Sequence, residues 1–165
     1  MTYLELTKHF GKELSDPDFQ EFLKNISCDP ATYDASESDY IKTADEKLEI
    51  GFRNDTARYE DDERTIFNQG NPVFAHFNLY PGSEKLVDPI AFDLGFSDNR
   101  KVVREKAGEP AKVVDFEDKF SNKHYMIDHF KSGDLAVSID YQASDESIEF
   151  IQIRDNTQAK EHYKL

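Results

Sequence analysis

The amino-acid sequence predicts an α+β protein, with an antiparallel sheet or sheets covered by two short helices. Each half of the chain has a capped helical segment followed by segments in which apolar and polar residues alternate, and turn-forming residues separate those segments. The chain has 165 residues, with 13 Phe and 8 Tyr to fill a core. This length and composition predict a single domain that spans residues 1–165.

The clearest helix signal lies at residues 97–107. Ser97 or Asp98 is a suitable N-cap. Gly108 can adopt the left-handed conformation that ends a helix, and Pro110 prevents its continuation. Alternation predicts strands after this helix at 112–116, 125–130, 135–141 and 148–154.

The first half of the chain shows the same plan. An acidic cap followed by proline begins a predicted helix at residues 15–26, whose apolar residues recur at helical spacing. Strands are predicted after it at 39–43, 48–52 and 73–79. One interpretation is a degenerate duplication of an αβββ unit, with half-units at 1–80 and 88–155 and a C-terminal tail at 156–165.

Two details of the predicted strands bear on their place in a sheet. In the third strand, alternation assigns Val73, Ala75 and Phe77 to the same face. In the last strand, the apolar residues change phase between Phe150 and Ile151, as they do at a bulge. The last strand is therefore a candidate edge strand.

The chain is strongly acidic, with 34 Asp and Glu residues against 20 Lys and Arg, for a net charge of −14. Residues 28–63 alone hold twelve acidic and four basic residues, a net charge of −8. Such a surface repels nucleic-acid backbones and attracts basic macromolecules. We therefore expect a basic partner and no direct binding of nucleic acid.

Several kinds of site are excluded or disfavoured by the residues present. A single cysteine, Cys28, forms neither an internal disulfide nor a cysteine-based zinc site. The seven glycines are too dispersed for a phosphate-binding loop. His124 and His129 are an odd number of positions apart on a predicted strand, so they lie on opposite faces. We therefore predict no catalytic residue, no metal and no cofactor.

Two further expectations follow from the apolar residues. Most aromatic residues, Phe120 and Tyr125 among them, are assigned to the core, because aromatic side chains bury the most area. The N-terminus lacks the basic and apolar segments of a secretion signal, and the chain has no long apolar run. These features predict a cytoplasmic protein with no membrane association.

Three stretches of the chain carry a resemblance to a known group of proteins. They are residues 10–14 followed by Phe19-x-x-Phe22-Leu23, residues 94–110, and the closing pair of predicted strands. In these stretches and in its acidity the chain resembles the small acidic immunity proteins of bacterial polymorphic toxin systems. The resemblance implies a non-enzymatic inhibitor that binds a cognate toxin domain and occludes its active site or substrate cleft.

The charge of the chain favours one kind of toxin. A nuclease must be basic around its cleft to hold nucleic acid, so an acidic inhibitor can mimic phosphate there, and other basic toxins fit the same argument. The predicted partner-binding residues combine the densest acidic segment with a second acidic patch: Asp55, Tyr59, Glu60, Asp61, Asp62, Glu63, Asp115, Glu117 and Asp118. The tyrosine is included because aromatic side chains anchor interfaces, while charges set the association rate.

Alternatives remain both for the role of the acidic segment and for the function of the whole chain. The acidic segment around residues 59–63 is also consistent with a solvated loop that has no partner. The whole chain is also consistent with a non-catalytic structural or assembly protein that binds through a sheet edge or an apolar patch. An enzyme is the third class, and it requires histidine and carboxylate groups that converge in a deep pocket. The sequence leaves the oligomeric state open.

Neutralising the acidic segment tests its predicted role. In the variant Asp61→Asn/Asp62→Asn/Glu63→Gln, we expect slower association with the toxin domain and a weaker salt dependence of that rate, because long-range attraction sets it. Stability should change little. Stopped-flow association at low and physiological salt measures both effects. Association at the wild-type rate would contradict the assignment of these residues without contradicting the inhibitor hypothesis.

Overall fold

The computed structural model describes residues 1–35, 37–54, 70–157 and 165. These residues form an α+β fold, as predicted, with one seven-stranded antiparallel sheet. Its helices are α1 (Tyr3–Thr7), α2 (Pro17–Asn25) and α3 (Arg100–Ala107). Its strands are β1 (Tyr40–Lys42), β2 (Leu48–Asn54), β3 (Pro72–Leu79), β4 (Lys112–Asp118), β5 (Lys123–Ser132), β6 (Leu135–Tyr141) and β7 (Ile148–Asp155). Among the described helices, none has the length and apolar character needed to cross a membrane.

The sheet joins the two halves of the chain. Its strand order is β1-β2-β3-β7-β6-β5-β4, so the meanders β1-β2-β3 and β5-β6-β7 meet where β3 pairs with β7. Strand β4 is an addition at the far end. The prediction that the last strand lies at an edge is wrong, because β7 is hydrogen-bonded on both sides. A bulge does occur in β7, but at a different place from the predicted one: Asp140 pairs with Phe150 and Tyr141 with Ile148, so Glu149 is the extra residue.

Helix α3 ends where the sequence predicts but begins later. Its N-cap is Asn99, whose side chain accepts a hydrogen bond from the backbone N–H of Val102. Asp98, one of the two predicted caps, instead binds the ammonium group of Lys106 at 2.7 Å. Gly108 has a φ of 84°, the positive value for which glycine is preferred after a helix. Side-chain pairing across the helix therefore decided the choice of cap.

The helices cover one face of the sheet and form a single core with it. Phe19 and Leu23 of α2 and Val103 of α3 are fully buried in this core. The Phe19 ring stacks on the ring of Phe74 of β3, with centroids 5.4 Å apart. Helix α2 lies within the predicted range 15–26 but begins two residues later, at Pro17, with Asp16 as its N-cap, and its apolar stripe packs on the sheet.

A bulge in β3 changes which of its side chains face the core. Gly51 of β2 pairs with His76, but the next residue of β2 pairs with Phe74, so Ala75 is an extra residue in β3. Phe74 and Phe77 are both buried and both pack in the core. The predicted alternation, which put Ala75 with Phe77, does not hold here because a bulge shifts it by one residue.

The opposite side of the sheet, which we call the open face, carries a row of polar residues with one from each strand. In sheet order these are Lys42, Glu49, Asn78, Gln152, Ser138, His129 and Lys112. Asn78 donates to Glu49 at 2.8 Å and accepts from Gln152 at 3.1 Å. The Tyr80 hydroxyl also donates to Glu49, at 2.7 Å. The hydrogen bonds from Asn78 and Tyr80 thus compensate the burial of the Glu49 carboxylate.

Gly51 leaves no room for a side chain, because a Cβ atom there would collide with the ring of His76. We expect Gly51→Ala to lower the free energy of unfolding by about 1 to 3 kcal/mol, the usual cost of overpacking. His76→Ala removes the ring, so the double variant should lose less than the sum of the two single variants. Urea denaturation of the four proteins measures this, and strictly additive losses would contradict the steric explanation.

Candidate partner-binding surface

A buried carboxylate holds α3 on the sheet. The side chain of Asp128 on β5 is fully buried. It accepts hydrogen bonds from Nε and Nη2 of Arg104, both at 2.7 Å, and from Nη2 of Arg100 at 2.9 Å. The Tyr141 hydroxyl donates to it at 3.3 Å. Two arginines about one helical turn apart therefore bind one carboxylate from above, an arrangement that we call the arginine clamp.

The arginine clamp sets the protonation state of Asp128. Burial acts to raise the pKa of this carboxyl, but hydrogen bonds from Arg104 and Arg100 and their positive charges outweigh it and hold the pKa below the ordinary value. A lowered pKa stabilises the fold above the unfolded value of about 4, and that stability is lost as the pH falls through the folded pKa. The arginine clamp is therefore intact at neutral pH and weakens only in acid.

Arg100, one of the two arginines of the clamp, also positions the edge strand β4. Nη1 of Arg100 binds Oδ2 of Asp115 at 2.6 Å, and Oδ1 of Asp115 is 2.8 Å from Nε2 of His124. Hydrogen bonds from Arg100 and then from His124 lower the pKa of Asp115. Asp115, a predicted partner-binding residue, is thus paired within the chain and serves to hold β4 in place.

The other predicted residues of this patch differ in their contacts. Asp118 accepts a hydrogen bond from the Ser121 hydroxyl at 2.6 Å and from the Phe120 backbone N–H at 3.0 Å, which closes the turn after β4. Glu117 is exposed and makes no hydrogen bond or ion pair with the residues that the structure describes. Asp115, Glu117 and Asp118 are thus all on β4, with Asp115 and Glu117 on one face and Asp118 on the other, and Glu117 has the carboxylate least engaged by its neighbours.

The remaining predicted partner-binding residues lie outside the described residues. They are Asp55, Tyr59, Glu60, Asp61, Asp62 and Glu63. Their assignment to a partner-binding site stays a prediction from the sequence.

Exposed apolar side chains on and beside β4 are the part of this surface that sequence reasoning missed. Phe116 is 53% exposed, Val113 is 46% exposed and Phe120 is fully exposed. The assignment of Phe120 to the core is therefore wrong, because it lies in the turn that Asp118 closes and has nothing to pack against. One signal was present in the sequence, since Phe116 stands between two acidic residues, Asp115 and Glu117.

The open face beside β4 is apolar and half-exposed. Phe116 stacks on Tyr125 with centroids 5.2 Å apart, and Ile127 and Val114 are cross-strand partners in the next row. Phe150 of β7 contacts the ring of Tyr80 at 5.7 Å. We call the residues on this side the apolar strip, which consists of Val114, Phe116, Tyr125, Ile127 and Phe150. Aromatic groups beside charged ones are the usual composition of a protein interface.

Strand β4 has an open outer edge as well as an exposed face. Among the described strands it pairs with β5 alone, so the backbone N–H and C=O groups of its other side are available to a partner. The candidate surface is thus the open edge with Phe116 and Asp118 on the open face, Glu117 on the other face, and Phe120 in the adjoining turn. It adjoins the apolar strip through Phe116, which belongs to both.

Catalytic groups do not converge in the part of the chain that the structure describes. Within it, no group of three or more His, Cys, Asp or Glu residues is placed to hold a metal ion. Burial, with a smaller effect of Asp29, raises the pKa of the Cys28 thiol to about 12, which makes it a poor nucleophile. His124 binds Asp115, whereas His129 lies 2.7 Å from the Ser138 hydroxyl on the other face.

Removing Asp128 tests the arginine clamp. Asp128→Ala leaves Arg104 without a counter-charge and Arg100 with that of Asp115 alone, so we expect the free energy of unfolding to fall by about 3 to 5 kcal/mol in urea denaturation at neutral pH. The difference from wild type should shrink as the pH falls from the unfolded pKa of about 4 through the lowered pKa of Asp128 in the folded protein. Glu105→Gln is the matched control, because its pair with Lys101 at 3.9 Å is exposed and worth less than about 0.5 kcal/mol. Equally small losses in both variants would contradict the anchoring role.

Comparisons with known proteins show no match to this chain among protein-family models, curated proteins or solved structures.

Proposed function

We propose that this protein is a non-catalytic, cytoplasmic immunity protein that binds a basic bacterial toxin domain and occludes its active site or substrate cleft. A nuclease domain is the preferred target. The observation that supports the proposal most is strand β4, an open sheet edge that carries exposed aromatic side chains next to acidic ones. Such an edge offers a partner apolar contacts, backbone hydrogen bonds and negative charge at one place.

The chemistry of this surface suits a tight inhibitor of a basic domain. Exposed aromatic side chains such as Phe116 and Phe120 are the residue type that contributes most binding energy when buried at an interface. The net charge of −14 accelerates encounters with a positively charged cleft. Inhibition of this kind needs only occupancy of the cleft, and therefore no catalytic group.

The arginine clamp adds a reason for high affinity. Arg100 ties β4 to α3 through Asp115, so the edge strand is held in its conformation before a partner arrives. A surface that is already ordered loses less conformational entropy on binding than a mobile one. The preorganised edge then lowers the dissociation rate, whereas the steering charge raises the association rate.

A co-expression assay tests the function. The candidate toxin is the C-terminal domain of the protein encoded immediately upstream of this chain's gene, expressed alone and together with this chain in a bacterial host. We expect growth arrest in the first case and normal growth in the second. Arrest that persists with this chain present, although the chain is expressed and folded, would contradict the proposal.

Substitution of Phe116 tests the surface. We expect Phe116→Ala to weaken binding of the purified toxin domain at least tenfold in calorimetric titration, as the loss of an aromatic anchor does. Leu4→Ala is the matched control, because Leu4 is also large, apolar and 50% exposed but lies on α1. Equal affinities of Phe116→Ala and wild type would remove β4 from the interface and leave the acidic segment at 59–63 as the candidate.

The open edge of β4 also favours a second candidate function, that of a structural or assembly protein that pairs its edge with another copy or another sheet. Light scattering of the purified protein separates the two. A dimer at micromolar concentration that Phe116→Asp converts to a monomer would favour assembly, whereas a monomer throughout supports the inhibitor.

A further inference from the structure

Asp140 is a half-buried carboxylate that lacks a partner. It lies on β6, on the open face, between Phe150 of β7 and Ile127 of β5. The structure places no hydrogen-bond donor and no ion-pair partner against its carboxylate from the residues that it describes. The buried carboxylates of Glu49 and Asp128, by contrast, accept hydrogen bonds from neighbouring side chains. Its partial burial carries a desolvation cost that no described side chain offsets, so the carboxylate is an acceptor open to a cationic donor.

The surroundings of Asp140 are suited to a cation. Phe150, the cross-strand neighbour of Asp140 on β7, packs against the ring of Tyr80, with centroids 5.7 Å apart. On β5 the cross-strand neighbour is Ile127, and Tyr125 lies two residues along the same face of that strand. The faces of such rings attract positive charge. The chain itself shows this, because the Lys123 ammonium lies 4.9 Å from the centre of the Tyr125 ring. Lys123 makes no ion pair with Asp140, so the carboxylate stays available.

The groups that titrate near Asp140 come from both neighbouring strands. Burial first, and then the negative charge of Glu149 on β7, raise the pKa of Asp140 to about 6, whereas Lys123 on β5 acts in the opposite direction. Tyr125 and His129 of β5 lie on the open face of the sheet, as Asp140 of β6 does. The carboxylate is therefore ionised at neutral pH and becomes largely protonated near pH 5.

We propose that Asp140, together with the aromatic rings beside it, is a subsite for an arginine side chain of the basic partner. The identity of that partner rests on the function proposed above, whereas the chemistry of the subsite does not. A guanidinium fits better than an ammonium, because it is planar, weakly hydrated, stacks on aromatic rings and donates two parallel hydrogen bonds to one carboxylate. The acidic character of the whole chain draws such a group to the surface.

The subsite makes binding depend on pH in a defined direction. Arginine stays charged throughout, so within the proposed pair only the charge of Asp140 changes between pH 7 and pH 5. With a pKa of about 6, roughly one-tenth of Asp140 is ionised at pH 5. Binding that needs the carboxylate should therefore weaken about tenfold over this interval and strengthen again as the pH rises.

The test uses N-acetyl-arginine amide as a probe of the folded protein, followed by two-dimensional NMR. We expect saturable shifts at the amides around Asp140 at pH 7, smaller shifts with N-acetyl-lysine amide, and none with Asp140→Asn. Glu149→Gln is the matched control, because it removes an exposed carboxylate beside Asp140 and should keep the response. The NMR spectrum also reports whether each variant is folded.

A measurement on the wild-type protein makes the test independent of any variant. The carboxyl ¹³C titration of Asp140 should show a lower pKa in the presence of the arginine probe than in its absence. An unchanged titration, or shifts that persist in Asp140→Asn, would overturn the subsite. Failure of the co-expression assay alone overturns the toxin partner and not the subsite, so the two proposals fail separately.

Discussion

The second half of this molecule depends on the arginine clamp on Asp128. A carboxylate at this depth is tolerated only if its charge is compensated, and α3 supplies both arginines that do so. The helix must therefore lie over β5 with one orientation, since either a rotation or a slide would leave Asp128 unpaired. Through Arg100 the same constraint extends to Asp115 and thus to the edge strand β4. The candidate interface is thus held both by the backbone pairing of β4 with β5 and by this link to the buried charge of Asp128.

The two faces of the sheet use carboxylates differently. On the face under the helices, the buried carboxylate of Asp128 is fully paired and stabilises the fold. On the open face, Glu49 belongs to the polar row and is paired as well. Asp140 alone of these three has no partner, and it lies where the polar row gives way to the apolar strip. Satisfied carboxylates specify the structure, whereas an unsatisfied one among aromatic rings is suited to bind a cation.

The candidate site was only partly accessible to sequence reasoning. The acidic residues of β4 were found, because charge is visible residue by residue. The pairing of Asp115 with Arg100 was not predicted. The two residues are 15 positions apart, and their side chains meet only because α3 docks on the sheet. The exposure of Phe120 and the isolation of Asp140 were also hidden, since both depend on what the neighbouring strands place beside them.

The sequence by itself determined the local elements and hence the α+β class. Caps, turn residues and alternation act over a few neighbouring residues, so α2 and most strands follow from the pattern. Only the tertiary structure decided the strand order, with β7 in the interior and β4 at the edge, and the extra residue Ala75 that turns Phe74 to the core. The physical reason is that pairing and burial are set by contacts between distant parts of the chain, which local propensity does not encode.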